Sequence, residues 1–448
     1  MLCALLAACG GSSHRDHRPN GRTAADLPAP TPTPGPGPAL GLTENNAALL
    51  APPGASGSSA ATGGSSAAGA SPGASQFAAA RTQLAALHPA FIRLLVDWAA
   101  LQPDPRRPPA LGAPVAGCAR ESGPCAAYDG IAAQLRALGA QQRAGNGYQA
   151  MIDIFGTPAW AAQPAQACEA AGASSFARPP QPAALPAYRA LIAALADLAR
   201  REGASVAWWS PWNEPNDPRF LTPQRADCSD GGAPLAPGAY AQLAGEMAAQ
   251  LAASHASGHL LLGELGGYSS GSPHRLSVGE FVAALPGSLL CSAQAWSVHA
   301  YAARPPRTTP PDPVALLEAA LDAHGGCARS APILVTETGA GAPSPGRPRG
   351  AGHGTAAAAG GDAAGAEGPG EEHAACLALA RLVLGWYGKP RVAAVLQYTF
   401  RDDPAFPVGV LSADLAHAHA TYGMWLALAR ARAAGVAPTG PQQLCSGA

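Results

Sequence analysis

With 448 residues, 48% of them hydrophobic and only 13% charged, the chain is long enough for one large core or two average domains. Its formal net charge of −1, without any dense Lys/Arg run, argues against nucleic acid or an anionic membrane surface as the main partner, because both usually demand a basic patch. The 53 Gly and 46 Pro call for long irregular segments between ordered elements.

The chain opens on MLCALLAACGGSS, an apolar run from Leu2 to Ala8 that ends Leu6-Ala7-Ala8-Cys9. This resembles the lipobox of bacterial lipoproteins. The resemblance implies a signal segment over residues 1–9 and a lipid on the Cys9 thiol, hence an extracellular or cell-surface protein. It departs from a secretory signal in lacking a basic first region. Residues 10–37, ending PAPTPTPGPGP, read as a disordered Pro/Gly/Ser linker. No later stretch reaches the ~18 consecutive apolar residues of a membrane span, so membrane attachment is expected through lipid alone. Setting aside Cys3 and Cys9, eight cysteines remain, with no CxxC pair among them. That pattern fits disulfides in an exported protein better than a zinc site, and Cys118 with Cys125 is the nearest pair.

A single domain is expected over residues 38–440. Its first strand-like run is ALGLT at 39–43, followed by a low-complexity surface loop over 52–75 and a helical segment near 76–87. FIRLLV (91–96) precedes a helix near 127–142, and YQAMIDI (148–154) precedes one at 184–201, where PAYRALIAALADLARR has the clearest helical spacing. SVAWWS (205–210), HLLLG (259–263) and QAWSVH (294–299) lead to helices near 238–255, 276–285 and 313–324. PILVTE (332–337) is followed by a second low-complexity loop, 342–370, and a helix near 372–387; VAAVLQYTF (392–400) leads to a last helix near 421–435. Eight strands alternating with eight helices predict an α/β fold, a (β/α)8 TIM barrel, rather than an open doubly wound sheet. There is no room after residue 435 for an accessory β-sandwich. No GxGxxG follows the first strand, so no dinucleotide and no other cofactor is expected.

In such a barrel the chemistry gathers where strands end. Glu214 lies just past the fourth strand, in WNEPND, and Glu337 closes the seventh, in ILVTETG. Alone, a Glu at a strand end is more often a loop ion pair or a helix cap. Two carboxylates facing one mouth are what glycoside hydrolysis needs: one donates a proton to the leaving oxygen, and the other attacks the oxocarbenium-like centre.

The set WNEPN at strand four, His299 and Tyr301 in WSVHAY at strand six, and VTETG at strand seven is similar to glycoside hydrolase clan A. With FIRLLVDWAALQP at strand two and TPAWA after strand three, it looks most like the family 39 and family 5 members. The resemblance spans residues 39 to about 435. It implies a retaining enzyme acting on a β-linked carbohydrate, with Glu214 as general acid/base and Glu337 as nucleophile, about 5–5.5 Å apart. It also implies that Asn213 bonds the sugar 2-OH, that Arg93 stabilises the Glu337 carboxylate, that Tyr301 orients it and that His299 lines the sugar site. The Trp-rich fourth strand is expected to give Glu214 a dry wall favouring its protonated form.

Trp98, Trp160, Trp212 and Tyr398 are candidate sugar-stacking platforms, with core packing the competing role. Many relatives carry a Trp at the end of strand eight, where Tyr398 or Phe400 stands here. Glu264, ending strand five, is a candidate subsite residue. The pairs His14/His17 and His417/His419 have weak metal-like spacing, and no metal is expected from them. The alternative to an enzyme is a catalytically silent, carbohydrate-binding lipoprotein on the same barrel.

Overall fold

The computed structural model describes residues 37–52, 73–118, 123–302, 311–340 and 369–446. Cys9, the linker up to residue 36 and most of both low-complexity loops lie outside the described residues. Eight strands, β1 (Ala39–Thr43), β2 (Phe91–Asp97), β3 (Gln149–Phe155), β4 (Val206–Ser210), β5 (His259–Leu265), β6 (Ala295–His299), β7 (Ile333–Thr338) and β8 (Val392–Tyr398), close in chain order into one barrel. All pairs are parallel, and β1 seals the barrel against β8. A parallel strand covered on both faces must be apolar nearly throughout, and β3 is buried at every position.

The helices are α1 (Ala47–Leu50), α2 (Ala74–Ala86), α3 (Trp98–Leu101), α4 (Gly130–Arg143), α5 (Leu185–Glu202), α6 (Ala236–Ala253), α7 (Val278–Ala283), α8 (Gly287–Leu290), α9 (Pro313–His324), α10 (Pro369–Tyr387), α11 (Ala420–Ala433) and α12 (Pro441–Leu444). Residues 182–202 are long and apolar enough to cross a membrane, yet half of that stretch is buried. In α5, Tyr188, Leu191, Ile192, Leu195 and Leu198 face the core.

Several boundaries differ from the sequence expectation. The helix expected at 276–285 is α7 alone, started by a Ser277/Glu280 capping box and separated from α8 by Pro286. Helix α2 already begins at Ala74 and α10 at Pro369, which shortens both expected loops, and β8 stops at Tyr398 rather than 400. Beyond residue 440, α12 still packs on the body, and Cys445 is buried.

Inside the barrel a purely strand-derived apolar floor gathers Ala39, Phe91, Met151, Ala207, Leu261, Ala295, Leu334, Ala394 and Leu396. The next storey is polar. Strand side chains alternate faces with period two, so Arg93, two residues beyond Phe91, and Asp153, two beyond Met151, point inward above the floor. Glu264 and Glu337 break that parity, standing three residues beyond Leu261 and Leu334. Register shifts between Leu262 and Leu265 in β5 and between Val335 and Thr338 in β7 supply the extra residue, and such bulges re-aim a side chain. The β5 bulge requires Gly263, at φ 108°: a Cβ there would lie 2.2 Å from the Ser297 carbonyl oxygen.

Among the described residues, four disulfides join Cys118–Cys125, Cys168–Cys228, Cys291–Cys327 and Cys376–Cys445, a pattern of chains that fold in an oxidising, extracytosolic compartment. The Cys376–Cys445 bridge ties α10 to the segment after α12 across a separation of 69 residues. In the chain-entropy limit its loss is expected to destabilise the fold by about 4 kcal/mol, against about 2 kcal/mol for the short Cys118–Cys125 loop. Urea unfolding of the two paired Cys→Ser variants checks the order; equal losses would overturn it.

Candidate active site

Arg93 is fully buried, a position a guanidinium tolerates only when its charge is paired. Its Nη1 donates to Glu337 Oε1 at 2.7 Å. Its Nη2 serves Asp153 Oδ2 at 2.7 Å, Asn213 Oδ1 at 2.9 Å and Glu264 Oε2 at 2.9 Å. Burial works against its charge, but Glu264, Asp153 and Glu337 outweigh it, so Arg93 stays ionised. Burial pushes the Asp153 carboxyl well above its usual range even beside Arg93. Burial also acts on Glu264, yet Arg93, His299 and the Thr336 hydroxyl, which donates at 2.8 Å, bring it down to about 2.

His299, at the end of β6, is the second cation. Its Nε2 faces Glu264 Oε2 at 2.8 Å, its Nδ1 faces Glu214 Oε1 at 2.9 Å, and Glu337 Oε2 is 3.4 Å from Nδ1. Burial would lower the pKa of this imidazole, but Glu337, Glu214 and Glu264 raise it to about 10. Both ring nitrogens therefore donate. Donor atoms of Glu214, His299 and Glu337 lie within 4.8 Å of one another.

Glu337 is gripped on both oxygens, by Arg93 and, at Oε2, by the Tyr301 hydroxyl at 2.5 Å. Burial and then the Glu337 charge hold Tyr301 well above its usual pKa, so it remains a donor. Tyr301 meets Phe406 edge-on at 5.1 Å between ring centroids and Tyr398 at 6.5 Å, and all three rings are half-buried. The Tyr398–Thr399 peptide bond is cis. Phe400 is fully buried, which leaves Tyr398 as the strand-eight aromatic at the mouth.

Glu214 sits on the turn after β4 with φ 37°, an uncommon backbone state for a non-glycine residue and one concentrated at functional sites. The dry tryptophan wall expected around it is absent. Trp209 is in the outer helix-side core and donates to Ser257 O, Trp208 packs on the barrel floor, and Trp212 is fully buried with its N–H on Phe220 O. Glu214 instead has polar partners, His299 on one oxygen and Arg219 Nη2 on the other at 3.1 Å. Arg219 is braced by Asp217 at 2.9 Å, which also accepts from Tyr268.

Trp98 is fully buried, with its N–H on Gln102, and with Trp212 belongs to the core rather than to a sugar platform. Trp160 is partly exposed, packed edge-on to Trp98 and bonded to Gln102 O; it makes no contact with the carboxylate cluster among those the structure describes. Glu264 lies at the centre of the site, a larger role than its sequence position conveyed. Asp153, Thr336, Arg219 and Glu44 were not anticipated. Asp153 did carry a signal, a lone acid in step with Met151 inside an apolar run. Glu44, just past β1, accepts from the Asn46 amide at 2.7 Å, and burial drives it up to about 7.

No family model and no curated protein matches the chain. Solved structures similar to it include an exo-beta-1,4-mannosidase from Opitutaceae bacterium strain TAV5, at 11% identity and TM-score 0.46 over 92% of this chain and 62% of that one. A GH5_18 protein from Streptomyces cattleya, in complex with Manb1-4GlcNAc, gives 14% and 0.48 over 90% and 82%. A glycoside hydrolase family 30 subfamily 8 xylanase from Clostridium acetobutylicum gives 12% and 0.45 over 88% and 71%. The chain thus spans less than two thirds of the mannosidase. Likenesses at this level say nothing about substrate, which has to come from the side chains.

Proposed function

We propose that the chain is a retaining glycoside hydrolase that cleaves a β-linked oligo- or polysaccharide, with Glu337 as nucleophile and Glu214 as general acid/base. One observation carries this reading: oxygens of the two glutamates lie within 4.8 Å of each other at the carboxyl end of the barrel. That closeness favours a retaining pair, whose carboxyl groups stand about 5–5.5 Å apart, over an inverting pair, which needs about 6.5–9.5 Å to admit a water.

In the first half-reaction a Glu337 oxygen bonds to the anomeric carbon as the glycosidic C–O bond breaks, and Glu214 passes its proton to the departing oxygen. In the second, water attacks the same carbon, Glu214 takes its proton, and the ester to Glu337 is released. Arg93 and Tyr301 on opposite oxygens of Glu337 fix its aim. Asn213, held by Arg93 through its carbonyl oxygen, turns its amide N–H toward the sugar 2-OH. Arg219 and His299 donate to the ionised Glu214 that the second step requires. Tyr301, Tyr398 and Phe406 offer half-buried ring faces and edges to the sugar. Export accompanies this reading, as does attachment through a lipidated Cys9; palmitate labelling that survives Cys9→Ser would overturn the attachment.

The roles separate by leaving group. Glu337→Ala is expected to abolish turnover of aryl β-glycosides and polysaccharides alike. Glu214→Ala is expected to slow substrates with poor leaving groups by about 10²–10⁴-fold while sparing activated aryl glycosides. Equal loss on both substrate types would sink the assignment, and sugar binding without any hydrolysis by the wild type would favour a silent binding protein.

The raised pKa of His299 also sets a stability profile. A histidine raised from 6.5 to about 10 on folding contributes fully below its unfolded pKa, and that contribution is lost as pH rises through about 10. Thermal unfolding of the wild type and of His299→Gln should therefore converge between pH 6.5 and about 10. A gap that stays constant over that window contradicts the charged imidazolium.

A further inference from the structure

A second constellation of ligating side chains stands away from the catalytic carboxylates, where the connection after β8 meets the first turn of α10. The segment Leu411–His419 folds back on itself: Leu411 bridges Ala418, Ser412 N donates to His417 O at 2.9 Å, and His419 N donates to Val410 O at 2.9 Å. Residues two apart on an extended segment share a face, so His417 and His419 present their rings together, with centroids 5.2 Å apart. Both rings converge on one oxygen. Glu372 Oε1 is 2.8 Å from His417 Nε2 and 3.2 Å from His419 Nδ1.

The far side of this group is already organised. His419 turns its other nitrogen, Nε2, to Asp402 Oδ2 at 2.8 Å, and Asp402 Oδ1 is held by the Gly409 amide at 2.8 Å. Glu372 Oε2 accepts from the Ala420 amide at 3.2 Å. A carboxylate on the second nitrogen of a histidine is the arrangement that fixes the tautomer and ring plane of a metal-ligating imidazole. His417 is more than half exposed, while Glu372 and His419 are mostly covered, so the group opens to solvent on one side only.

The spacing of His417 and His419 alone pointed to no metal; with Glu372 and Asp402 brought beside them, we propose that His417 Nε2, His419 Nδ1 and Glu372 Oε1 form a binding site for a zinc-class divalent cation, with Asp402 orienting His419. Two imidazoles and one carboxylate suit a borderline transition ion better than Ca²⁺ or Mg²⁺, which favour all-oxygen shells. The size fits as well. Donors on tetrahedral zinc stand about 3.3 Å apart, given bonds of about 2.0–2.1 Å, and the three atoms here already lie within 4.8 Å of one another. The exposed side leaves a fourth position for water. An ion there would pin the first turn of α10 to the connection that carries Phe406 onto Tyr301 and Tyr398. This site does not depend on the hydrolase reading.

The test uses the untagged full chain with its disulfides intact, treated with chelator, dialysed, and titrated with ZnCl2 or CaCl2 in a calorimeter. The wild type is expected to take up one equivalent of Zn²⁺ that His417→Ala and Glu372→Gln each remove, and no Ca²⁺. Asp402→Asn is expected to weaken that equivalent by about 10–100-fold. Zinc held at the catalytic carboxylates would persist in His417→Ala, so the difference between isotherms isolates the rim site. Far-ultraviolet circular dichroism of each variant confirms the fold, and His417, being exposed, can be removed without opening the core. A wild type that binds no zinc, or variants that titrate like it, overturns the proposal and leaves the cluster as ion pairs between α10 and the loop.

Discussion

A buried guanidinium organises this barrel. Arg93 stands one storey above the apolar floor, without solvent, and four side chains from β3, β5, β7 and the turn after β4 bond to it. Desolvating a cation is costly, on the order of several kcal/mol, unless opposing charge and acceptors compensate it; here both Nη atoms are met, while the buried Nε has no partner. The carboxylates that meet it are themselves buried, so neither side is stable alone. With the His299 imidazolium between Glu214, Glu264 and Glu337, the upper storey is a lattice in which cations separate carboxylates that would otherwise repel one another.

That lattice gives the two outermost glutamates distinct surroundings. Glu337 has a guanidinium on one oxygen and a tyrosine hydroxyl on the other, with little freedom to rotate. Glu214 sits nearer solvent on a left-handed turn, and one of its two partners, Arg219, is nearly half exposed. Those surroundings suit the proposed roles, because a nucleophile profits from fixed aim and a group that must release and recover a proton profits from access to water and to a leaving group.

Most of the barrel was legible from sequence, because parallel strands buried on both faces read as short apolar runs and the intervening helices carry their own period. The inward aim of Arg93 and Asp153 follows from simple alternation. Glu264 escaped that logic: alternation from Leu261 points it outward, and only the extra residue at Gly263 turns it in. Arg219 and Glu44 belong to turns without a period, so no pattern marked them. The tryptophans misled for a different reason. A run of three in VAWWSPW looks like one wall, but successive strand residues face opposite ways, which sends Trp208 to the floor and Trp209 to the helix layer.

The bulge at Gly263 uncouples two parts of the molecule that share a strand. Along β5, side-chain volume fills the barrel below it and charge geometry sets the site above it, and on that strand the two are out of step by one residue. Substitutions in the floor can then exchange bulk among neighbouring strands while the phase of the acidic storey stays put. The glycine works as a gear change. It lets the packing of the barrel drift without dragging its chemistry along.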